Sequence, residues 1–351
     1  MQPSRETERR LTRIGWHARA WPDDLSDRQA VARVVAQHRA GYQVHDGERA
    51  FSAQPAAQFL RRDLDPTRRP AVGDFVVYRT GAPPTIERIL PRTGELKRGA
   101  AGEAPQRQLI ATNVDVVFVL CGLDGDFNPA RIERYLVLIG GSGAQAVVVL
   151  TKADLVAEPA AAVEGLRARL PAEVPLLAVD ARSADAILPL RGWLGTGRTG
   201  VLVGSSGAGK STLTNTLLGE SRQATAAVRS HDSRGRHTTT HRALLELPDG
   251  GCLIDTPGMR ELKLTGEETL DAAQFADIDE LARSCRFGDC AHGSEPGCAV
   301  QAALAAGTLD PSRWRNYLKL SDELGEVADA LEARLRRRRG RPAPRHGPRE
   351  D

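Results

Sequence analysis

Gly204-Ser205-Ser206-Gly207-Ala208-Gly209-Lys210-Ser211 has the spacing G-x-x-x-x-G-K-[ST]. Glycines at those positions let backbone N–H groups curl round phosphate oxygens where a helix begins and its dipole favours negative charge. Lys210 would reach the β- and γ-phosphates, the Ser211 hydroxyl would ligate Mg²⁺, and Thr212 completes the nucleotide-binding run. Asp255-Thr256-Pro257-Gly258 follows Lys210 by 45 residues. An aspartate there can hold Mg²⁺ through water, and the Gly258 N–H can sense a γ-phosphate. Thr151-Lys152-Ala153-Asp154 is a threonine variant of the N-K-x-D pattern. The Lys152 stem would lie along a flat base, and the Asp154 carboxylate would accept from guanine N1–H and the exocyclic amine together. Five of the 48 basic residues are lysines, and two of them, Lys152 and Lys210, fall where this chemistry specifies an ammonium.

These groups need a rigid edge to stand on. Val201-Leu202-Val203 before the phosphate loop and Leu213, Leu217 and Leu218 after it predict a strand, a loop and a helix. Val114 to Cys121, Ala146 to Leu150, Pro175 to Val179, Thr199 to Val203 and Gly251 to Asp255 read as further buried strands. Asn128-Pro129 supplies an N-cap and a first-turn proline for a helix over 131–139. Strands alternating with helices mean an α/β domain with a parallel sheet. The order is unusual, because the base-reading motif precedes the phosphate loop. Cutting the same sheet at another loop and rejoining its ends, a circular permutation, explains it. Ahead of this domain, short strands around Ala32, Gly41, Gly73 and Thr85 suit a small β-barrel.

Cys285-x4-Cys290-x-His292-x5-Cys298 gathers three thiols and an imidazole within fourteen residues. Cys₃His is a tetrahedral Zn²⁺ set, and four protein ligands leave no open position, so one structural zinc is expected. The Gly-rich, charged residues between the ligands cannot pack a core without it. Cys121 and Cys252 lie in apolar runs and read as small buried hydrophobes.

Taken together, these motifs resemble the circularly permuted GTPases that act on the small ribosomal subunit (the RsgA/YjeQ type). The likeness covers about residues 30–335. It includes Gly73-Asp74, Thr112-Asn113-Val114-Asp115, Asn128-Pro129, Glu133-Arg134-Tyr135-Leu136, the three nucleotide motifs, Gly235 to Thr240 and the cysteine cluster. It implies an OB barrel, a permuted GTPase domain and a zinc-bearing C-terminal domain. The corresponding division is a flexible extension at 1–29, the barrel at 30–108, the GTPase domain at 109–265, the zinc domain at 266–335 and a basic disordered tail at 336–351. Met259 stands where many GTPases carry a water-orienting glutamine, and the resemblance points to His237 for that task. The polar loop Ser230 to His241 has the composition of switch I, where Thr239 or Thr240 would complete Mg²⁺ coordination; Thr239 is taken here.

Hydrophobic content of 41% and charged content of 26% describe an ordinary globular chain, and no run reaches the ~20 apolar residues of a membrane span. The charged N-terminus lacks the apolar core of a signal peptide, and five cysteines make a poor disulfide framework, so a cytoplasmic protein is expected. Net charge is only +3, but Arg33, Arg61, Arg62, Arg68, Arg69, Arg88, Arg92, Lys97 and Arg98 crowd the barrel and Arg334 to Arg341 the tail. Few aromatics (4%) favour shape and phosphate recognition of folded RNA over base stacking. The resemblance implies a monomer whose partners are GTP or GDP, the 30S subunit and its 16S rRNA, with no membrane. Two alternatives stand beside this reading: a P-loop kinase acting on a small molecule, which Asp154 and Asp255-Thr-Pro-Gly oppose, and an RNA-binding module with a merely structural nucleotide site. With Asp255 and Gly258 leading within about thirty residues to the cysteine cluster, a γ-phosphate-dependent shift could pass directly into the C-terminal domain.

Overall fold

The computed structural model describes residues 4–17, 19–38, 41–99, 107–219, 242–256, 263–266, 268, 270 and 274–339, with side chains up to 333 in the last helix. A first helix α1 (Arg5–Arg13) leads into β1 (Gln29–His38), β2 (Gly41–His45), β3 (Ala50–Pro55), a short α2 (Ala57–Leu60), β4 (Phe75–Arg79) and β5 (Thr85–Ile89). Strand β1 pairs with both β2 and β4, β2 with β3, and β3 runs parallel to β5, which pairs with β4. These pairings close a five-stranded barrel around Ala32, Val34, Tyr42, Val44, Val76 and Ile86.

Alternate residues of β1 and β4 point the other way, as strand geometry requires. Val31, Phe75 and Val77 therefore form a second apolar face outside the barrel, and Leu11, Ile14 and Trp16 cover it. Trp16 meets the Phe75 ring edge-on, centroids 4.9 Å apart. The segment read as a flexible extension thus anchors Leu11, Ile14 and Trp16 in the packed core. Ser4 caps α1 by accepting from the Thr7 N–H at 3.1 Å, and Leu11 is fully buried.

Beyond the barrel, β6 (Glu95–Gly99) and β7 (Arg107–Thr112) pair as a separate hairpin, so the expected boundary at 108 falls inside β7. Next come β8 (Val116–Gly122), α3 (Pro129–Gly140), β9 (Gln145–Thr151), α4 (Pro159–Arg167), β10 (Leu176–Ala178), α5 (Leu188–Arg191), β11 (Thr199–Gly204), α6 (Lys210–Leu218), β12 (Ala243–Glu246) and β13 (Cys252–Asp255). Strands lie in the order β10-β9-β8-β11-β13-β12, parallel except for the antiparallel β12. Ala243 of β12 bridges to Ala36 of β1 and joins this sheet to the barrel. Every residue of β8 is buried, as its unbroken apolar run demands, with Val117, Val119 and Cys121 on one face and Val116, Phe118 and Leu120 on the other.

Three helices, α7 (Ala276–Arg283), α8 (Ala299–Ala305) and α9 (Pro311–Arg339), follow the sheet. Their core residues Phe275, Ile278, Val300, Trp314 and Leu320 merge with the α3 side of the sheet. Among the described residues, no helix is long and apolar enough to cross a membrane.

Candidate functional site

Because β8, β9, β11 and β13 are parallel, their C-terminal ends lie along one edge of the sheet. Thr151 ends β9, Gly204 ends β11 and Asp255 ends β13, so the three motifs meet there whatever their order in the chain. Ligands of open α/β sheets bind outside this edge.

The phosphate loop is shaped by its glycines. Gly204, Gly207 and Gly209 have φ of +150°, +86° and +87°, a region that L side chains avoid. A Cβ on Gly204 would stand 2.3 Å from the Leu120 carbonyl oxygen. Ser205, Ala208, Ser211 and Thr212 complete the loop and the first turn of α6, with Leu213 N–H donating to Gly209 O at 2.8 Å. The Lys210 ammonium donates to Gly204 O at 2.7 Å and Ser205 O at 2.6 Å. Burial brings its pKa down to about 8, with Asp255 and Asp126 offsetting part of the effect. A half-buried ammonium held by carbonyl oxygens, beside amides at a helix N-terminus, is a fitting receptor for phosphate.

The Thr151–Asp154 motif is tied to this loop. Thr151, fully buried, donates its hydroxyl to Ala208 O at 2.8 Å, which explains a threonine at that place. Lys152 adopts φ +59° and pairs with Asp124. Asp126, two residues on, accepts from the Ser205 hydroxyl and pairs with Arg131 at 2.8 Å. Burial would raise the Asp126 carboxyl, but these partners outweigh it and hold the pKa below the usual range. Asp154 accepts from Arg182 at 2.7 Å. Sequence reasoning missed Asp124, Asp126, Asp180 and Arg182. Only the position of the first two, just past a buried strand at the same sheet edge, could have marked them. Gly258, Met259, His237, Thr239 and Thr240 lie outside the described residues.

The cysteine cluster assembles as the spacing suggested. One ligand atom from each of Cys285, Cys290, His292 and Cys298 lies within 4.8 Å of the others. The Cys285 and Cys298 sulfurs are 3.9 Å apart, and His292 Nδ1 is 3.4 Å and 3.6 Å from them. Zn–S bonds of about 2.3 Å in a tetrahedron put sulfurs roughly 3.8 Å apart, so the donor set fits such an ion. Trp314 of α9 meets the His292 ring edge-on at 5.8 Å. This is a metal site.

Two barrel arginines do not face outward as their composition suggested. Arg33 is fully buried, and Arg92 is held by Asp74 at 2.7 Å and Glu95 at 2.8 Å. Neither is placed to meet a phosphate backbone.

The family model described as RsgA GTPase matches residues 89–265, from the barrel's last strand past the third motif. The chain belongs to the RsgA GTPase family. It is 55% identical over 338 residues to a Xanthomonas axonopodis pv. citri protein named small ribosomal subunit biogenesis GTPase RsgA, covering 93% of this chain and 91% of that one. A relative of the same name from Xanthomonas euvesicatoria pv. vesicatoria is 54% identical, with the same coverage. The crystal structure of YjeQ from Thermotoga maritima superposes with a TM-score of 0.60 at 26% identity, over 85% of this chain and 98% of that one. YloQ, described as a circularly permuted GTPase, shares the fold with a TM-score of 0.56 at 23% identity, over 88% and 98%. The chain is therefore a GTP hydrolase with an N-terminal barrel, a circularly permuted GTPase domain and a helical C-terminal region bearing the Cys₃His cluster.

Proposed function

We propose that this GTPase acts in biogenesis of the small ribosomal subunit, binding the 30S particle through its 16S rRNA and hydrolysing GTP fastest when docked there. The observation that carries the reading is the meeting of Thr151–Asp154, Gly204–Thr212 and Asp255 at one sheet edge, in a chain whose relatives bear that name. Asp154 reads the guanine N1–H and amine, and the Lys152 stem supports the base. Amides of Gly204 to Thr212 and the Lys210 ammonium hold the phosphates. Ser211 and Thr239 would hold Mg²⁺, Asp255 would bind it through water, and the Gly258 N–H would sense the γ-phosphate. That ion supplies positive charge against the phosphate oxygens as charge shifts onto the leaving group. With Met259 unable to orient a water, His237 takes that role. Cys285, Cys290, His292 and Cys298 would hold one structural Zn²⁺, and the protein works as a cytoplasmic monomer. The domain order proposed is the barrel, the GTPase domain and, from about 266, the zinc domain to 335, followed by a basic tail at 336–351; the limit expected at 108 falls inside β7, and the segment before residue 30 packs on the barrel.

The test is GTP turnover with and without purified 30S subunits. Turnover should be slow alone and markedly stimulated by subunits, with the stimulation lost by about 10²-fold or more in His237→Ala if that side chain orients the water. No stimulation would instead favour an RNA-binding module whose nucleotide site is structural.

A further inference from the structure

Asp154 does not stand alone at the base-reading end. Arg182, on the turn after β10, donates from Nη2 to Asp154 Oδ2 at 2.7 Å and to Asp180 Oδ2 at 3.1 Å. Its Nε donates to Asp180 Oδ1 at 3.0 Å, and its backbone N–H donates to the same oxygen at 2.9 Å. Asp180 thus folds the turn and grips the guanidinium that it presents to Asp154. The turn is fixed on both sides. Val179 N–H donates to Leu150 O at 2.8 Å, next to the base-reading motif, and the Thr216 hydroxyl of α6 lies 2.7 Å from Ala181 O.

Two carboxylates therefore share one guanidinium nitrogen at the place where a base would be read. Without the arginine, Asp180 would set a like charge beside Asp154, and like charges favour protonation or separation. A carboxylate offers about four lone-pair sites, so the arginine leaves Asp154 able to accept from a base as well. The Arg182 side chain is 66% exposed, and a bridge so open to water adds little to folding stability. Its effect belongs to the orientation of Asp154.

We propose that Arg182, anchored by Asp180, is a positioning residue for base recognition: it fixes the rotation of the Asp154 carboxylate and offsets the charge of Asp180 beside it. The inference rests on the reading of Asp154 as the guanine acceptor. A fixed carboxylate meets both N1–H and the exocyclic amine of guanine, while hypoxanthine offers N1–H alone. Selectivity between the two bases therefore reports orientation, and general loosening of the site does not mimic it.

The experiment is calorimetric titration of the full-length protein and its variants with GDP and IDP. Arg182→Ala should weaken GDP by about tenfold, one charged hydrogen bond, and leave IDP within about threefold. Asp180→Ser added to Arg182→Ala should recover only part of the GDP affinity, because the unpaired charge is gone but the contact that orients Asp154 is not restored. Melting temperatures should stay near wild type. Equal losses for GDP and IDP, or GDP binding that is unchanged or tighter in Arg182→Ala, would overturn the proposal. Asp154→Ala separates the two layers. If it keeps the preference for GDP over IDP, the guanine reading itself fails. If it loses that preference while Arg182→Ala keeps it, only the positioning role fails.

Discussion

Arg33 and Arg313 sit at the two seams of the GTPase domain, each with 5% or less of its surface exposed and each over a phenylalanine ring at 4.8 Å. Their partners differ in kind. Arg33 donates to Ile14 O at 2.5 Å, Thr199 Oγ1 at 2.8 Å, Gly73 O at 3.1 Å and Asn113 O at 3.2 Å, all neutral acceptors. They come from the N-terminal segment, the barrel and the GTPase domain, so all three must be in place before this charge is solvated. Burial lowers the Arg33 pKa accordingly. Arg313 instead donates to both Asp277 oxygens at 2.7 Å and to Glu133 Oε1 at 2.9 Å. Burial alone would lower its pKa, but those carboxylates raise it overall. Glu133 is 3% exposed and also accepts from Arg169 at 2.8 Å and from Asn316. The N-terminal seam is held by dipoles gathered from three segments, and the C-terminal seam by opposite charges.

That contrast predicts unequal costs. Arg313→Met should destabilise the protein by about 3–5 kcal/mol in chemical denaturation, because Glu133 is left buried and underpaired. Adding Glu133→Gln should restore part of the loss. Arg33→Met should cost less, about 1–3 kcal/mol, since it orphans only neutral acceptors. Equal losses at the two seams would break the comparison.

Lys210 sharpens it, having neutral partners like Arg33 but a proton it can lose. With its pKa down to about 8 and phosphate favouring the charged form, GDP affinity should hold steady below pH 8. Above that it should fall by up to about tenfold per pH unit, with proton uptake on binding. Calorimetry in buffers of different ionisation enthalpy checks this, and binding without proton uptake at pH 8.5 would contradict it. The smallest effect belongs to Asp277. Burial would raise its carboxyl, yet Arg313 outweighs burial and holds the pKa below the usual range. A depressed folded pKa stabilises at neutral pH, and that contribution is lost as pH falls through the folded value. The stability gap between wild type and Asp277→Asn, about 1 kcal/mol for a carboxylate 45% exposed, should therefore close in acid.

How legible was this from sequence? The meeting of the three motifs was largely so, because Gly204–Ser211, Thr151–Asp154 and Asp255 each follow or end a buried strand, and parallel strands align their C-terminal ends. The metal ligands were legible from spacing within one short segment. The N-terminal helix was not. Leu11, Ile14 and Trp16 are scattered among arginines, and their partners Phe75 and Val77 lie some sixty residues away on the outside of the barrel. Nor was the fate of Arg33, whose acceptors come from Ile14, Gly73, Asn113 and Thr199. Arg182 was hidden for a related reason, since only the parallel pairing of β9 and β10 brings its turn beside Asp154. Local motifs show in sequence; charges solvated by distant segments do not.

The central claim is that Asp154, delivered ahead of the phosphate loop in the chain, reads guanine at the same sheet edge. Asp154→Asn replaces an acceptor with a donor at the C2 position of the base, where xanthine carries a carbonyl in place of guanine's amine. Titration of that variant with GDP and XDP tests the claim most directly. GDP binding should fall by about 10²-fold, two charged hydrogen bonds, while XDP should bind more tightly than it does to wild type. Retention of wild-type GDP affinity with no gain for XDP would contradict it.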